Sequence, residues 1–183
     1  MAVDLEVLPA TAAHITTIAN LSQLYAYDFS EFRDLELGDD GRFGDIELPL
    51  YWSEPDRHAF LFKVRQKPAG FALVKRGSEI TEDDSVWDMA EFFVVRRYRR
   101  QGLGAAAARE IWNRFSGPWE VRVMESNQPA QRFWARAIAA ALNQPVSPVQ
   151  AEAARRRWYV FSFDSQPTVK QADAKFSSDI FGA

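Results

Sequence analysis

Apolar residues recur along this chain with two periods. Ile15, Ile18, Leu21, Leu24 and Tyr25 are spaced by three and four, which predicts one face of a helix that Thr11 can cap. Phe60, Phe62 and Val64 recur at every second position, the period of a strand over Ala59–Arg65. A turn over Gln66–Gly70 and a partner strand over Phe71–Lys75 complete a hairpin. Further strands are expected at Val3–Leu8, ended by Pro9, and at Val86–Val95, Trp119–Met124, Pro145–Val149 and Arg156–Phe163. Alanine-rich helices are expected from about Gly102 to Phe115, before the Gly117-Pro118 break, and from about Pro129 to Leu142. The span Asp28–Asp56 is rich in breakers and reads as loop with room for one helical turn, and Gly77–Ser85 as an exposed acidic loop. Residues 1–165 read as one α/β domain without repeats. Residues 166–183 read as a polar, loose tail, with Phe176, Ile180 and Phe181 as candidate anchors.

Composition narrows the chemistry. With 183 residues, 47% hydrophobic and 14% aromatic, the chain can bury a sizeable core. The 22 basic and 25 acidic residues leave a net charge of -3, which gives no general pull toward nucleic acid or an anionic membrane. No apolar run approaches the ~20 residues of a bilayer span, and Met1–Ala13 lacks the pattern of a signal peptide. The absence of cysteine removes disulfides, thiol nucleophiles and thiolate metal sites, and is compatible with a cytoplasmic protein. Two histidines, His14 and His58, make a histidine metal site improbable and read as structural, so no metal is expected.

The richest stretch runs FFVVRRYRRQGLGA, from Phe92 to Ala105. A β-branched run stops at arginines, passes Gly102 and Gly104, and enters alanines, which is strand, tight turn and helix start. A helix N-terminus presents unpaired N–H groups and a dipole that favours anions, and glycine lets a phosphate approach the backbone. The dinucleotide fingerprint fails for want of a third glycine, and a nucleotide P-loop for want of Gly-Lys-Ser/Thr. The arginines also read as a solvated turn, and the alanines as a close helix–sheet contact.

The stretch resembles the acetyl-CoA signature of the GCN5-related N-acetyltransferase (GNAT) superfamily, Arg/Gln-x-x-Gly-x-Gly/Ala, at Arg99, Gly102 and Gly104. Phe92, Phe93, Val94, Tyr98 and Leu103 fit the wider frame. The family's next landmark, an asparagine followed by AxxFY on a helix, is matched by Asn127, Ala130 and Phe133. The resembling core covers roughly residues 59–142.

The resemblance implies a GNAT-like α/β fold: a mixed, mostly antiparallel central sheet of about six or seven strands with helices on both faces. It implies acetyl-CoA as acyl donor and an amine acceptor, on a small molecule or a peptide, attacking directly. Backbone groups of Val94, Val95 and Arg96 would meet the pantetheine arm in a splay of the sheet, and amides from Arg99 through Arg100, Gln101, Gly102, Leu103 and Gly104 to Ala105 would hold the pyrophosphate. Asn127 would cap its helix and touch the cofactor, and Phe133 would both pack and line the site. Glu91 is the first candidate for the general base, with a second reading as a charged exit from its strand; Asp28 and Glu31, in the segment that walls the acceptor in the family, come next. Where the family has a tyrosine as general acid the chain has Trp134, whose indole is no useful acid, so Tyr25, Tyr27 or water would have to substitute. A binder of acetyl-CoA that does not turn over stands as the alternative. Dimerisation is common in the family, and a homodimer is compatible with the sequence without being selected by it.

Overall fold

Along the chain the order is β1 (Leu5–Pro9), α1 (Ile15–Phe29), α2 (Leu50–Ser53), β2 (Arg57–Val64), β3 (Lys67–Arg76), β4 (Trp87–Val94), α3 (Leu103–Trp112), β5 (Gly117–Met124), α4 (Gln128–Leu142), β6 (Val149–Ala153) and β7 (Arg156–Ser165). The structure is a computed structural model that describes residues 4–44 and 46–166; the expectations for Val3 and for Phe176, Ile180 and Phe181 lie outside the described residues. All seven strands share one sheet in the order β1-β2-β3-β4-β5-β7-β6. Every neighbouring pair is antiparallel except β4 with β5. The expected mostly antiparallel α/β architecture is therefore the one observed.

Each strand sends alternate side chains to opposite faces. Phe60, Phe62, Ala72, Val74, Val121 and Val123 meet Leu103, Ala107, Ala108 and Ile111 of α3 and Trp134, Ala137 and Ile138 of α4 in the larger core. Ala59, Leu61, Phe71, Leu73 and Phe93 meet Ile18 and Leu21 of α1 and Leu48 and Tyr51 beside or within α2 on the other face. Leu24, expected on the apolar stripe of α1, is 51% exposed; Tyr25, one position on, turns inward against Phe71 and Phe93 instead.

Two irregularities set the architecture of the site. Between β3 and β4, Leu73 pairs with Glu91 and Val74 with Met89, so Ala90 is a bulge with no partner. The extra residue reverses the parity of the strand: Trp87 and Met89 face α3, yet after the bulge it is Phe92 and Val94 that do so, while Glu91 and Phe93 face α1. The parallel pairing of β4 and β5 is confined to Trp87 with Trp119 and Asp88 with Glu120. Beyond these residues the two strands diverge, and among the described residues no strand covers that edge of the C-terminal half of β4.

Two expectations shift. The turn read at Gln66–Gly70 is the two-residue turn Arg65-Gln66, both in the left-handed region (φ 49° and 63°), and β3 already begins at Lys67. The strand read at Pro145–Val149 lies instead at Val149–Ala153. Proline cannot donate to a ladder, and a second left-handed turn, Ala154-Arg155, fixes the register by pairing Ala153 with Arg156.

Candidate active site

Val94 leads out of the sheet and Arg96–Tyr98 form one 3-10 turn before Gly102 caps α3. Gly102 sits at φ 79°, a conformation that costs other residues about 1 kcal/mol or more. A Cβ placed there would meet nothing within 4 Å. The N–H groups of residues 101–105 carry no backbone hydrogen bond among the described residues. Space, an open helix start and bare amides coincide at this turn, which fits a phosphate group. Gly104 has a different reason to be glycine: its Cβ would lie 3.1 Å from two ring carbons of Phe133, at the seam of α3 and α4. Phe133 in turn stacks on Phe92, with ring centroids 6.0 Å apart.

The four arginines of the turn divide into two pairs. Arg96 and Arg99 both reach back to Asp28 at the end of α1; Arg96 Nη2 lies 2.6 Å from Asp28 Oδ1, and Arg99 donates to Oδ2. Arg99 Nε also donates to the Val94 carbonyl at 2.6 Å. Arg97 and Arg100 form no ion pair among the described residues, and Gln101 Nε2 is tied to the Arg97 carbonyl. The Val95 N–H is bonded to the Ala69 carbonyl and its own carbonyl accepts from Tyr98, so both backbone groups are occupied within the fold. Alternation along the strand then turns the backbone groups of Val94 toward the uncovered edge. Of the residues read as facing the arm, Val94 has its groups there, whereas Val95 is engaged with β3.

Asn127 Oδ1 accepts from the Ala130 N–H at 3.1 Å and caps α4. Asn127→Ala is expected to destabilise the protein by about 1 kcal/mol, whereas Asn127→Asp, which retains the acceptor, should melt within a degree or two of the parent in a thermal scan.

Glu91 is half-buried on the α1 face of β4. Burial pushes its carboxyl up to about 7, with Asp88 and Glu79 adding to the rise, while the Tyr25 hydroxyl and the charge of Arg122 pull it back. Tyr25 is held well above its ordinary value by burial and then by Glu91. Tyr51 of α2 is pushed up to about 12 by burial, again with Glu91 contributing. A carboxyl that is half-ionised near neutral pH is suited to take up a proton. Asp28, by contrast, is committed to two guanidinium groups. Glu31 and Tyr27 are exposed, and Trp134 is buried among Phe92, Trp112 and Phe133. His58 packs against Trp87 and Phe115 with its pKa lowered by burial, a structural role.

Sequence reasoning missed the polar floor beside Glu91. Arg122 of β5 pairs with Asp88 at 2.8 Å and with Glu79, which Lys75 also holds at 2.5 Å. Burial alone would lower the Arg122 pKa, but the two carboxylates outweigh it. Glu120 is buried and satisfied by Ser78 and Thr81. The signal was available: in β4 and β5 the charged residues Asp88, Glu120 and Arg122 alternate with Trp87, Met89, Trp119, Val121 and Val123, and so share the face opposite the larger core.

A sheet that splays between a parallel strand pair, a glycine turn opening a helix at the mouth of the splay, and a carboxyl on its floor meet at one place in the fold. The Acetyltransferase (GNAT) family model matches residues 18–138, and the chain belongs to that family. No curated protein sequence matches the chain. Among solved structures it is similar to an acetyltransferase from Thermus thermophilus (TM-score 0.62, 16% identity, covering 89% of this chain and 98% of that one). It is also similar to NAA60 of Arabidopsis thaliana in complex with a bisubstrate analogue (0.59, 13%, 90% and 99%) and to spermidine N-acetyltransferase of Vibrio cholerae in complex with CoA and spermine (0.57, 9%, 88% and 96%). At these identities the likeness establishes the fold. Among the described residues no helix is long and apolar enough to cross a membrane.

Proposed function

We propose that this protein is an N-acetyltransferase that uses acetyl-CoA and acetylates an amine, on a small molecule or a peptide, by direct attack. The observation that carries the reading is the uncovered edge of β4, with the open N-terminus of α3 at one end and Glu91 on its floor. When bound, acetyl-CoA supplies an activated acetyl thioester. The amides of residues 101–105, with Arg97 and Arg100 nearby, bind its pyrophosphate; the groups of Val94 at the uncovered edge bind its arm; Asn127 Nδ2, which has no partner among the described residues, is free to join them. Arg99 must leave the Val94 carbonyl for that carbonyl to serve. Glu91, directly or through water, takes the proton that an ammonium acceptor must lose before it can attack, and Tyr25 orients the carboxylate. Trp134 offers no proton, so the thiolate leaves without a protein acid, as a thiol of pKa near ~8.5 permits.

The buried indole of Trp134 favours a second reading, a sensor that binds acetyl-CoA without turnover. Calorimetry with CoA together with a thiol-release assay over an amine panel tests both. Micromolar binding with amine-dependent thiol release is expected; binding without release from any amine would support the sensor, and failure to bind would remove both readings.

A further inference from the structure

A pocket of about 330 Å³ opens on the α1 face where β5 ends, between the segment after α1 and the start of β7. Phe32 and Met124 supply its apolar walls, and Ser126 Oγ ties the two sides together by donating to the Phe32 carbonyl at 3.2 Å. Its charged residues are Arg33, Arg156 and Arg157 against Asp34 and Glu125. Arg157 is neutralised by Glu125 at 2.8 Å. Arg33 and Arg156 form no ion pair among the described residues, although Asp34 adjoins Arg33 in sequence; Arg33 is exposed and Arg156 is half-buried. A half-buried guanidinium without a counter-charge is costly unless an anion completes it, and its planar donor fork matches a carboxylate. The pocket also connects to the cleft: the Phe32 ring that walls it meets Phe29 with centroids 6.5 Å apart, and Phe29 meets Tyr25 at 5.3 Å.

Building on the transferase reading, we infer that Arg33 and Arg156 form a carboxylate subsite of the acceptor cleft, so that the acceptor is an amine that also carries a carboxylate beside an apolar body. The amine then points along Tyr25 toward Glu91 while the carboxylate is held at the pocket. Two chemical sources present such a pair of groups, a free amino acid and a peptide with an acidic residue near its N-terminus.

The test measures binding first, so that it does not depend on turnover. With CoA present, calorimetry compares L-methionine with L-methioninamide, and a tetrapeptide amide bearing aspartate at its second position with its asparagine counterpart. In at least one pair the carboxylate form should bind about 10-fold or more tighter, as a charge-assisted pair implies, and Arg33→Gln with Arg156→Gln should abolish the difference. The pair that discriminates identifies the source. The inference is overturned if neither pair discriminates, if nothing binds, or if the double variant loses affinity for CoA itself, which would assign the arginines to the cofactor. Discrimination in binding without thiol release from acetyl-CoA would leave the subsite standing and remove the transferase reading. Thiol release from neutral and carboxylate-bearing amines alike would do the reverse.

Discussion

Glu91→Gln is expected to lower kcat/KM for an amine acceptor by roughly 10²–10⁴-fold, the usual range for a lost general base. The pH profile should change as well. In the parent protein the rate should climb through a pH of about 7 as the carboxyl ionises, and then level off. Glutamine cannot ionise, so that limb should vanish and leave only the titration of the amine. Stability should move in the opposite direction. The carboxyl of Glu91 has a folded-state pKa raised above its unfolded value of about 4.5, so between pH 4.5 and 7 the folded chain binds more protons than the unfolded one, and stability falls as pH rises. The variant lacks this loss, and its melting temperature should exceed that of the parent at pH 8, with the advantage shrinking below pH 5. A variant that is slower and more stable would separate a chemical role from a packing role. An unchanged pH profile would remove Glu91 from the mechanism.

The second large effect concerns Gly70 of β3. This residue pairs with Val94 on one side and Phe62 on the other. A Cβ added there would run into the Phe93 carbonyl oxygen and lie 2.9 Å from Phe62 Cδ2. Neither obstacle is the end of a flexible side chain: one is the backbone of β4 and the other a buried ring. Gly70→Ala is therefore expected to destabilise the fold by about 3 kcal/mol or more, a fall in Tm of roughly 6–12 °C, measured by thermal unfolding. Because β4 must shift to relieve the clash, CoA affinity should fall with it. Gly44→Ala, where a Cβ would meet nothing within 4 Å, serves as the control and should leave both unchanged.

What was legible in the sequence is what local rules decide. A glycine turn opening a helix, an asparagine capping the next helix and the alternation of Phe60, Phe62 and Val64 all act within a few residues, and each stands where the pattern placed it. The acceptor side was less legible because it depends on pairing between distant segments. Asp28 lies near the end of α1, and only folding brings Arg96 and Arg99 onto its carboxylate. The four residues of α2 are too few to show a period, so Tyr51 and its place in the core under α1 stayed hidden in a run of breakers. Arg65-Gln66 and Ala154-Arg155 make tight turns without the glycine or asparagine that usually announce them; the apolar ladders on either side impose the geometry.

The unpaired residue at Ala90 makes the active side of the sheet a matter of counting. Its identity is of small consequence, since a methyl group there answers to no cross-strand partner. Its exclusion from the ladder decides whether an acid or a phenyl ring looks into the cleft. Point changes at this position should be forgiven, and so should its removal, which would leave Met89 and Glu91 consecutive against Val74 and Leu73 with Glu91 still on the α1 face; what the cleft does not tolerate is Ala90 taking a place in the ladder, which would turn the carboxylate of Glu91 toward oil and Phe92 out of it.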